Sequence, residues 1–285
     1  MKPRKTLIIG PTGQLGKALA QLWRDRDDVV VAGRETVDLT RPETLESFPW
    51  AEYRTVVNAA AHTAVDAAET PEGRLQAWAA NAAAPATLAR LADRYRLTLV
   101  HISSDYVFDG TRTLHTEAEP FAPLGVYGQS KAAGDCAVST AARHYILRTS
   151  WVIGEGRNFV ATMASLAERG VDPQVVSDQV GRLSFAETIA AAVDHLLSTE
   201  AEYGTYNVSN TGEPASWAEI AAQVYRLIGH DPARITPVTT AEYFAGKEGI
   251  APRPAHSTFD LSKLEATGFV PADQYEALAA YLRAE

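Results

Sequence analysis

The glycine-rich turn GPTGQLG, set between an apolar run and an amphipathic segment, constrains the fold of this chain more than any other feature. The apolar run TLIIG at 6–10 is short and rich in Leu and Ile, which predicts a buried strand. The segment 14–23 spaces its apolar residues as a helix does. Gly10 permits a tight turn, Gly13 lets the backbone approach a ligand, and Gly16 lets the helix pack closely on the strand. The chain therefore opens with a strand–turn–helix unit.

The same alternation of strand and helix continues along the first half of the chain. Four further apolar runs of strand length lie at 29–33, 54–60, 97–104 and 144–152, and helix-like segments separate them. Strands buried on both faces read as continuous apolar runs, and their alternation with helices implies parallel strands with right-handed crossovers. We therefore predict an α/β fold with a Rossmann-type doubly wound parallel sheet.

The pattern loosens after residue 152, which predicts a smaller C-terminal substrate-binding domain. The elements expected there are helices at 158–170, 185–198 and 216–229 and strands at 173–179 and 204–210. Ser216 and Glu219 have the spacing of a capping box at the start of a helix. A Pro-, Thr- and Gly-rich stretch at 235–257 is predicted as a loop over a site. The expected division is an NAD(P)-binding domain of 1–152 plus 184–210 and a substrate-binding domain of 153–183 plus 211–285.

The composition argues against several classes of protein. The formal net charge is −9 and the sequence has no Lys/Arg cluster, so nucleic acid and an anionic membrane surface are not expected as partners. The single cysteine, Cys136, cannot form an internal disulfide, which favours the cytoplasm. No apolar run approaches the ~18 residues of a membrane span, and MKPRKTLIIG leads into a strand rather than a signal peptide. We assign no metal ligands from the sequence.

The glycine turn predicts a dinucleotide site, because the helix that follows it directs its N–H groups at phosphates. A structural turn is the alternative. An NAD-type site would place an acid at the end of the second strand, where this chain has Gly33 and Arg34. An arginine there could pair with a 2′-phosphate, which favours NADPH, although a solvated arginine and use of NADH remain open. Asp38 either lies near the adenine or begins a turn.

A second group of residues suits the reduction of a ketone. The fourth strand ends in HISSDYVFDG at 101–110, and Tyr127 precedes Lys131 by four residues, which places both on one helical face. The alternative is that the two residues simply lie on the solvent-exposed face of an ordinary helix, where the same spacing of four occurs. We expect Ser104, Tyr127 and Lys131 to converge at the carboxyl edge of the sheet. Hydride transfer to a carbonyl carbon places negative charge on the carbonyl oxygen, which must then take up a proton. A phenol has a pKa of about 10, and we expect the nearby ammonium to lower the pKa of Tyr127.

Six strings of residues, taken in order, carry a resemblance to a known family. They are GPTGQLG, NAAAHTAVDAAE (58–69), SSDYVFDG, VYGQSK, LRTSWV (147–152) and RPAHS (253–257). They span nearly the whole chain and resemble the extended short-chain dehydrogenase/reductases, and within them the dTDP-4-dehydrorhamnose reductase family. The resemblance implies NADPH-dependent reduction of a dTDP-linked 4-keto-6-deoxysugar, dTDP-4-dehydro-L-rhamnose to dTDP-L-rhamnose. Whether the chain forms a homodimer stays open.

The resemblance also implies roles for single residues, which add to those argued above. The catalytic set is Ser104, Tyr127 and Lys131, and the substrate-binding set is Ser104, Asp105, Trp151 and Arg253. The cofactor-binding set is Gly10, Thr12, Gly13, Gln14, Leu15, Arg34, Asp38, Leu39, Ala59, Ala60, Ala61, His62, Thr63, Tyr127 and Lys131. Some residues of the six strings could instead have no part in the site. The alternatives are that His62 is a hydrogen-bonded structural residue, that Trp151 belongs to the core, and that Asp66 and Glu69 are solvated.

Two departures and two rival functions accompany the resemblance. The family often has Pro-Thr where this chain has Leu183-Ser184, in DQVGRLSF at 178–185, a region expected on the substrate side, and Ser104 replaces a threonine. A sugar-nucleotide dehydratase of this fold would place Glu after Asp105, where this chain has a tyrosine. An epimerase would need an extra acid/base pair, and Cys136 is expected to point away from the site. The second rival is a non-catalytic regulatory subunit resembling that of methionine adenosyltransferase.

Overall fold

The computed structural model of the protein describes residues 4–284, so the predicted domain ends at 1–3 and 285 lie outside the described residues. The strands are β1 (Lys5–Ile9), β2 (Val29–Ala32), β3 (Tyr53–Asn58), β4 (Thr98–Ser104), β5 (His144–Thr149), β6 (Val152–Ile153), β7 (Gln174–Val176), β8 (Val180–Gly181), β9 (Ser184–Phe185), β10 (Gly204–Asn207), β11 (Ala215–Ser216) and β12 (Thr236–Val238). Six of them form one parallel sheet in the order β10-β5-β4-β3-β1-β2. The predicted doubly wound α/β fold is confirmed.

The helices follow the predicted alternation. They are α1 (Gln14–Leu22), α2 (Pro42–Ser47), α3 (Pro71–Trp78), α4 (Ala84–Tyr95), α5 (Val126–Val138), α6 (Phe159–Glu168), α7 (Ala186–Ser198), α8 (Trp217–Leu227), α9 (Thr240–Tyr243), α10 (Ser262–Glu265) and α11 (Gln274–Ala284). Short 3-10 turns lie at Trp50–Glu52, Ala67–Glu69, Asp105–Val107 and Pro232–Arg234, and a π-helical turn at Ala79–Ala83. No helix within residues 4–284 is long and apolar enough to cross a membrane.

The two faces of the sheet explain the continuous apolar runs of its strands. Leu7 and Ile9 of β1 pack into a core beneath α2 and α4, and Ile8 between them packs into a second core with α1 and α7. All three are at most 1% exposed. Burying such a side chain contributes about 1.5–3 kcal/mol. The sheet is therefore held from both sides, and its strand ends are free to carry a site.

A third core lies under the small strands that follow β5. It joins side chains of α6, α8 and α11 to Leu183 and Phe185, which flank or form β9. The predicted capping box at Ser216 and Glu219 is present at the start of α8. The segment 184–210 lies against the main sheet, because α7 packs on α1 and β10 pairs with β5. The division into two domains itself stays a prediction.

The helix that carries the predicted catalytic pair begins earlier than the sequence pattern indicated. The helix-like pattern of small and apolar residues is clearest over SKAAGDCAVSTAA at 130–142, whereas α5 runs from Val126 to Val138. The carboxylate of Glu69 accepts the backbone N–H of Val126 at 2.8 Å, which satisfies one of the free donors in the first turn of α5. Tyr127 therefore lies inside the first turn. The alternative of a freely solvated Glu69 does not hold, because its carboxylate fixes the start of this helix.

Candidate functional site

A cavity of about 890 Å³ opens at the carboxyl ends of the sheet strands, where ligands bind in doubly wound folds. Most of the predicted site residues line it. They are Gly10, Thr12, Gly13, Gln14, Leu15, Arg34, Asp38, Leu39, Ala59, Ala60, Ala61, Thr63, Ser104, Asp105, Tyr127, Lys131 and Trp151. Two predicted residues, His62 and Arg253, are not among the lining residues. The fold thus brings together segments that lie far apart in the sequence.

The glycine turn forms one end of this cavity. Gly10 has a φ of +84°, a conformation that favours glycine. A Cβ atom at Gly16 would lie 2.0 Å from the carbonyl oxygen of Gly10, so only glycine lets α1 approach β1 this closely. The first turn of α1 contains no acidic residue, and its N–H groups have no intrahelical acceptor. The buried Gln14 Oε1 beside it has no hydrogen-bond partner within residues 4–284. This end of the cavity suits a phosphate-bearing group.

Charged residues that follow β2 line the next part of the cavity. Arg34 lies there as predicted from its position, and Glu35 lies beside it. The Glu35 carboxylate folds back over Gly33, with an oxygen 2.5 Å from where a Cβ atom of that glycine would stand. Asp38 accepts from the N–H and hydroxyl of Thr40 at 2.9 and 2.7 Å, and these bonds lower its pKa. Asp38 therefore both lines the cavity and shapes a turn. The carboxylate of Glu35 was not recognised from the sequence.

Ser104, Tyr127 and Lys131 meet where β4 ends beside the first turns of α5. The hydroxyl group of Ser104 interacts with that of Tyr127 and acts to lower the pKa of the phenol. Ser104 Oγ also donates to Asp105 Oδ1 at 2.9 Å and accepts from the N–H of Tyr106 at 3.2 Å. Lys131 Nζ donates to the carbonyl oxygen of Ile102, on β4, at 2.5 Å. All three side chains are buried while lining the cavity, so the site holds a phenol and an ammonium away from bulk water.

Burial controls the protonation of this pair. Burial raises the pKa of Tyr127 to about 12, although the hydrogen bond with Ser104 acts against it. This is the opposite of the lowering that we expected from the nearby ammonium. Burial also lowers the pKa of Lys131 to about 8, because it penalises the charged form, while the carboxylate of Asp135 acts in the other direction. At neutral pH Tyr127 is a protonated donor and Lys131 is largely cationic.

A buried polar cluster supports the lysine from below. Asp135 lies one turn after Lys131 and accepts from Arg148 Nε at 3.0 Å. His101 Nε2 lies 3.9 Å from Asp135, and burial holds the pKa of His101 well below its usual value, so that histidine is neutral. Its other ring nitrogen is 3.2 Å from the amide of Asn58. The sequence-based prediction missed this cluster, although the spacing of Lys131 and Asp135 on one helical face was a usable signal.

Asp105 connects the cavity to the C-terminal part of the chain. Ser257 Oγ donates to Asp105 Oδ2 at 2.6 Å, and Ser104 donates to the other oxygen. Burial raises the pKa of Asp105 above its ordinary value, while these hydrogen bonds act against that shift. Ser257 belongs to the RPAHS string, which explains how that string reaches the site without lining the cavity.

Three other predicted residues have partners that the sequence did not show. Trp151 lines the cavity, but its ring also stacks on Trp217 with centroids 3.7 Å apart, and its backbone has a φ of +46°. Arg253 donates twice to Asp66, at 2.9 Å each, so Asp66 is not a freely solvated acid. The backbone of His62 is bound on both sides by the side chain of Asn81. The Arg253 side chain is thus engaged by Asp66 rather than free to line the cavity.

Other features of the cavity were not predicted. Lys17 and Glu155 form a salt bridge of 2.6 Å at its rim, which joins α1 to the loop after β6. Ser103, Thr149 and Ser150 also line the cavity; they belong to the SSDYVFDG and LRTSWV strings but were given no role there. Gly156 and Arg157 are further lining residues that no motif indicated. The two departing residues Leu183 and Ser184 are fully buried and do not line the cavity. Cys136 is exposed. Within residues 4–284, no group of three or more His, Cys, Asp or Glu is arranged to hold a metal ion.

The parallel sheet, the glycine turn and the Ser–Tyr–Lys site define an oxidoreductase of the short-chain dehydrogenase/reductase class. Comparison with known proteins narrows this class. The chain belongs to the family described as the RmlD substrate binding domain, which it matches over residues 4–285. Its similarity to members of that family covers nearly the whole chain, as the following relatives show.

Three relatives illustrate this similarity. A probable dTDP-4,6-dihydroxy-2-methyloxan-3-one 4-ketoreductase from Streptomyces antibioticus is 39% identical over 93% of this chain and 90% of its own. The structure of a dTDP-4-dehydrorhamnose reductase from Clostridium acetobutylicum is 34% identical, with a TM-score of 0.90 over 98% of this chain and 99% of that chain. The structure of a Bacillus anthracis dTDP-4-dehydrorhamnose reductase in complex with NADP is 31% identical, with a TM-score of 0.89 over 99% of both chains.

Proposed function

We propose that this protein reduces the 4-keto group of a dTDP-linked 6-deoxyhexose, converting dTDP-4-dehydro-L-rhamnose to dTDP-L-rhamnose with NADPH. The observation that carries the proposal is that Ser104, Tyr127 and Lys131, all buried, meet in the wall of the cavity that begins at the glycine turn. The names of the relatives support the substrate class, since each describes a protein that acts on a dTDP-sugar.

The residues of the glycine turn fit a dinucleotide. The free N–H groups in the first turn of α1 would donate to its phosphates, and Arg34 would pair with a 2′-phosphate. Lys131 would hold the ribose next to the nicotinamide. The reduced nicotinamide, when bound, supplies the hydride that the carbonyl carbon takes up. NADH stays an alternative, because Glu35 beside Arg34 could accept from ribose hydroxyls.

The chain's own residues supply the proton. Tyr127 donates its phenolic proton to the carbonyl oxygen as that oxygen gains negative charge, and the hydroxyl group of Ser104 holds the oxygen in place. The ammonium of Lys131 stabilises the phenolate that forms. Because the pKa of Tyr127 is about 12, the phenolate then takes a proton back readily from water. The product is the alcohol at carbon 4.

The identity of the sugar, apart from its 4-keto group, is the more specific part of the proposal. The Streptomyces antibioticus relative is named for a different dTDP-sugar, which makes that sugar the second candidate substrate. Both candidates share a 4-keto group, so the site chemistry is the same. Leu183 and Ser184, which depart from the family pattern, are packed in the third core or against it rather than in the cavity wall. Their effect on the choice of sugar would therefore be indirect.

The proposal also includes the surroundings of the reaction. We infer that the enzyme works in the cytoplasm, which the single cysteine supports, and that nucleic acid is not a partner, which the net charge of −9 supports. Residues 1–152 plus 184–210 would bind the cofactor, and 153–183 plus 211–285 would bind the sugar nucleotide. Light scattering of the purified protein decides whether it is a monomer or a homodimer.

The test follows NADPH absorbance with the 4-keto sugar nucleotide and identifies the product by NMR. Tyr127→Phe is expected to lose about 10²–10⁴-fold in kcat, the usual contribution of a general acid. Tyr225→Phe is the matched control, because Tyr225 is buried in the third core and bonds the carbonyl of Val171, far from the cavity lining. The proposal is wrong if the wild type oxidises no NADPH with either sugar, or if Tyr127→Phe keeps full activity.

A further inference from the structure

A row of arginines lies along the amino-terminal edge of the main sheet, opposite the edge that carries the cavity described above. One arginine stands within three residues of the start of each of five adjacent strands, β2, β1, β3, β4 and β5. The five are Arg26, Arg4, Arg54, Arg96 and Arg143. All of them line a single depression of about 510 Å³. They are scattered in the sequence, so only the parallel sheet brings them together.

The carboxylates near this row neutralise only part of it. Asp28 accepts from Arg26 at 3.1 Å and from Arg54 at 2.6 Å, and Asp194 lies 3.7 Å from Arg26. The acids that line the depression itself are Asp194 and Glu200, and Glu200 is in no ion pair with a described residue. Five cations thus face three carboxylates. The depression keeps a local positive charge on a protein whose formal net charge is −9.

Three of the five guanidinium groups have no carboxylate partner among residues 4–284. Among the described residues, the side chain of Arg4 donates only to the carbonyl oxygen of Tyr95, at 3.2 Å. The side chains of Arg96 and Arg143 are exposed and form no hydrogen bond or ion pair with the described residues. Unpaired guanidinium groups that converge on one depression are typical of sites for phosphate, because their planar donors match phosphate oxygens two at a time.

The rest of the lining also suits a phosphate-bearing ligand. Hydroxyl groups of Thr6, Thr55, Thr98 and Ser198 stand between the arginines. Neighbouring strands lie about 4.8 Å apart, so five strands spread their cations over roughly 20 Å, more than a single phosphate covers. The volume lies within the range of about 300–1,000 Å³ that is usual for small-molecule sites. A linear, multiply charged anion matches this layout better than a compact one.

We propose that this depression binds a linear polyphosphate group, either inorganic or carried by a nucleoside. The site is separate from the catalytic cavity and shares no lining residue with it. One element reaches both, since α7 contributes Ile189 to the catalytic cavity and Asp194 to the arginine depression. The proposal does not depend on the reaction that the enzyme performs.

Isothermal titration of the full-length protein with inorganic tripolyphosphate tests the proposal. Saturating NADPH is present throughout, so that the glycine turn cannot supply the binding site. Saturable one-to-one binding is expected for the wild type, weakened about tenfold or more in Arg96→Gln/Arg143→Gln. The matched control is Arg74→Gln/Arg94→Gln, which removes the same charge from exposed positions outside the depression. The control is expected to bind within twofold of the wild type.

The outcomes separate a built site from general attraction. Equal weakening in both double variants, or no saturable binding by the wild type, overturns the proposal. Thermal melting of each variant identifies any loss of folding, and a second variant, Arg54→Gln, repeats the test at another strand. Orthophosphate is expected to bind more weakly than tripolyphosphate, and equal affinity for the two contradicts a linear ligand. Comparison with ATP under the same conditions then distinguishes a nucleoside polyphosphate from the inorganic chain.

Discussion

A Cβ atom at Gly16 would lie only 2.0 Å from the carbonyl oxygen of Gly10, six residues earlier on the other side of the turn. The same atom would lie 2.8 Å from the Cα of Pro11. Real side chains do not approach backbone atoms this closely, so any residue larger than glycine would push α1 away from β1. The contact determines where the first turn of α1 meets the cavity.

Gly16→Ala is expected to destabilise the protein by about 1–3 kcal/mol, the usual cost of overpacking a close contact, and to weaken NADPH binding. Gly13→Ala is its matched partner, because a Cβ atom there meets only the Gly10 carbonyl at an ordinary 3.7 Å. Gly13→Ala should therefore keep its melting temperature and lose only cofactor affinity, since Gly13 lines the cavity. Equal melting temperatures for the two variants would contradict the assigned role of Gly16.

The charge of Lys131 is expected to set the alkaline limit of activity. Because its pKa is lowered to about 8, the cation is present below that pH and is lost as the pH rises through it. The kcat/KM for the keto sugar should fall over the same range. Asp135→Asn removes a carboxylate that raises the pKa of Lys131, so the falling limb should move to lower pH. Circular dichroism checks that Asp135→Asn is folded. If the folded variant loses activity over the same pH range as the wild type, Asp135 does not control the protonation of Lys131.

Arg34 and Glu35 are expected to act in opposite directions on cofactor choice. Arg34→Ala should reduce the ratio of kcat/KM for NADPH to that for NADH by about tenfold, because one charged pair with the 2′-phosphate is lost. Glu35→Gln should raise the same ratio, since the removed carboxylate would repel that phosphate. Steady-state assays with both cofactors measure the ratio, and an unchanged ratio in Arg34→Ala shows that this arginine is only solvated.

Glu69 is expected to act as a positioning residue for Tyr127. Its carboxylate holds the backbone N–H of Val126, the residue directly before the tyrosine. Glu69→Ala leaves that donor without its partner, a loss of about 1 kcal/mol, and kcat should fall roughly fivefold with little change in KM for NADPH. Glu69→Gln retains an acceptor oxygen and should restore most of kcat. If both variants lower only the melting temperature, the role of Glu69 is purely structural.

The sequence predicts the parts of this protein that depend on local pattern. Continuous apolar runs such as the one that contains Leu7, Ile8 and Ile9 predict strands buried on both faces, and the sheet confirms them. The capping box at Ser216 follows from hydrogen-bonding rules within four residues. Elements whose hydrogen bonds and apolar faces repeat at short spacing are therefore recognisable from the order of the residues alone.

The sequence does not predict features that depend on contacts between distant segments. The early start of α5 needs Glu69, which lies 57 residues before Val126. The raised pKa of Tyr127 follows from burial, which a spacing of four residues to Lys131 does not report. The pairing of Arg253 with Asp66 joins residues 187 positions apart. In each case the deciding partner is set by the packing of the whole chain.

The hydrogen bond from Ser257 to Asp105 has a consequence for synthesis. The two residues are 152 positions apart. Asp105, just after β4, is therefore synthesised long before Ser257, whose hydroxyl group donates to the Asp105 carboxylate. At about 5–20 residues per second, that interval lasts roughly 8–30 s. A nascent chain can thus assemble the sheet and the glycine turn while Asp105 still lacks one of its donors. The hydrogen bonds of Asp105 are therefore complete only after the C-terminal part of the chain has been made.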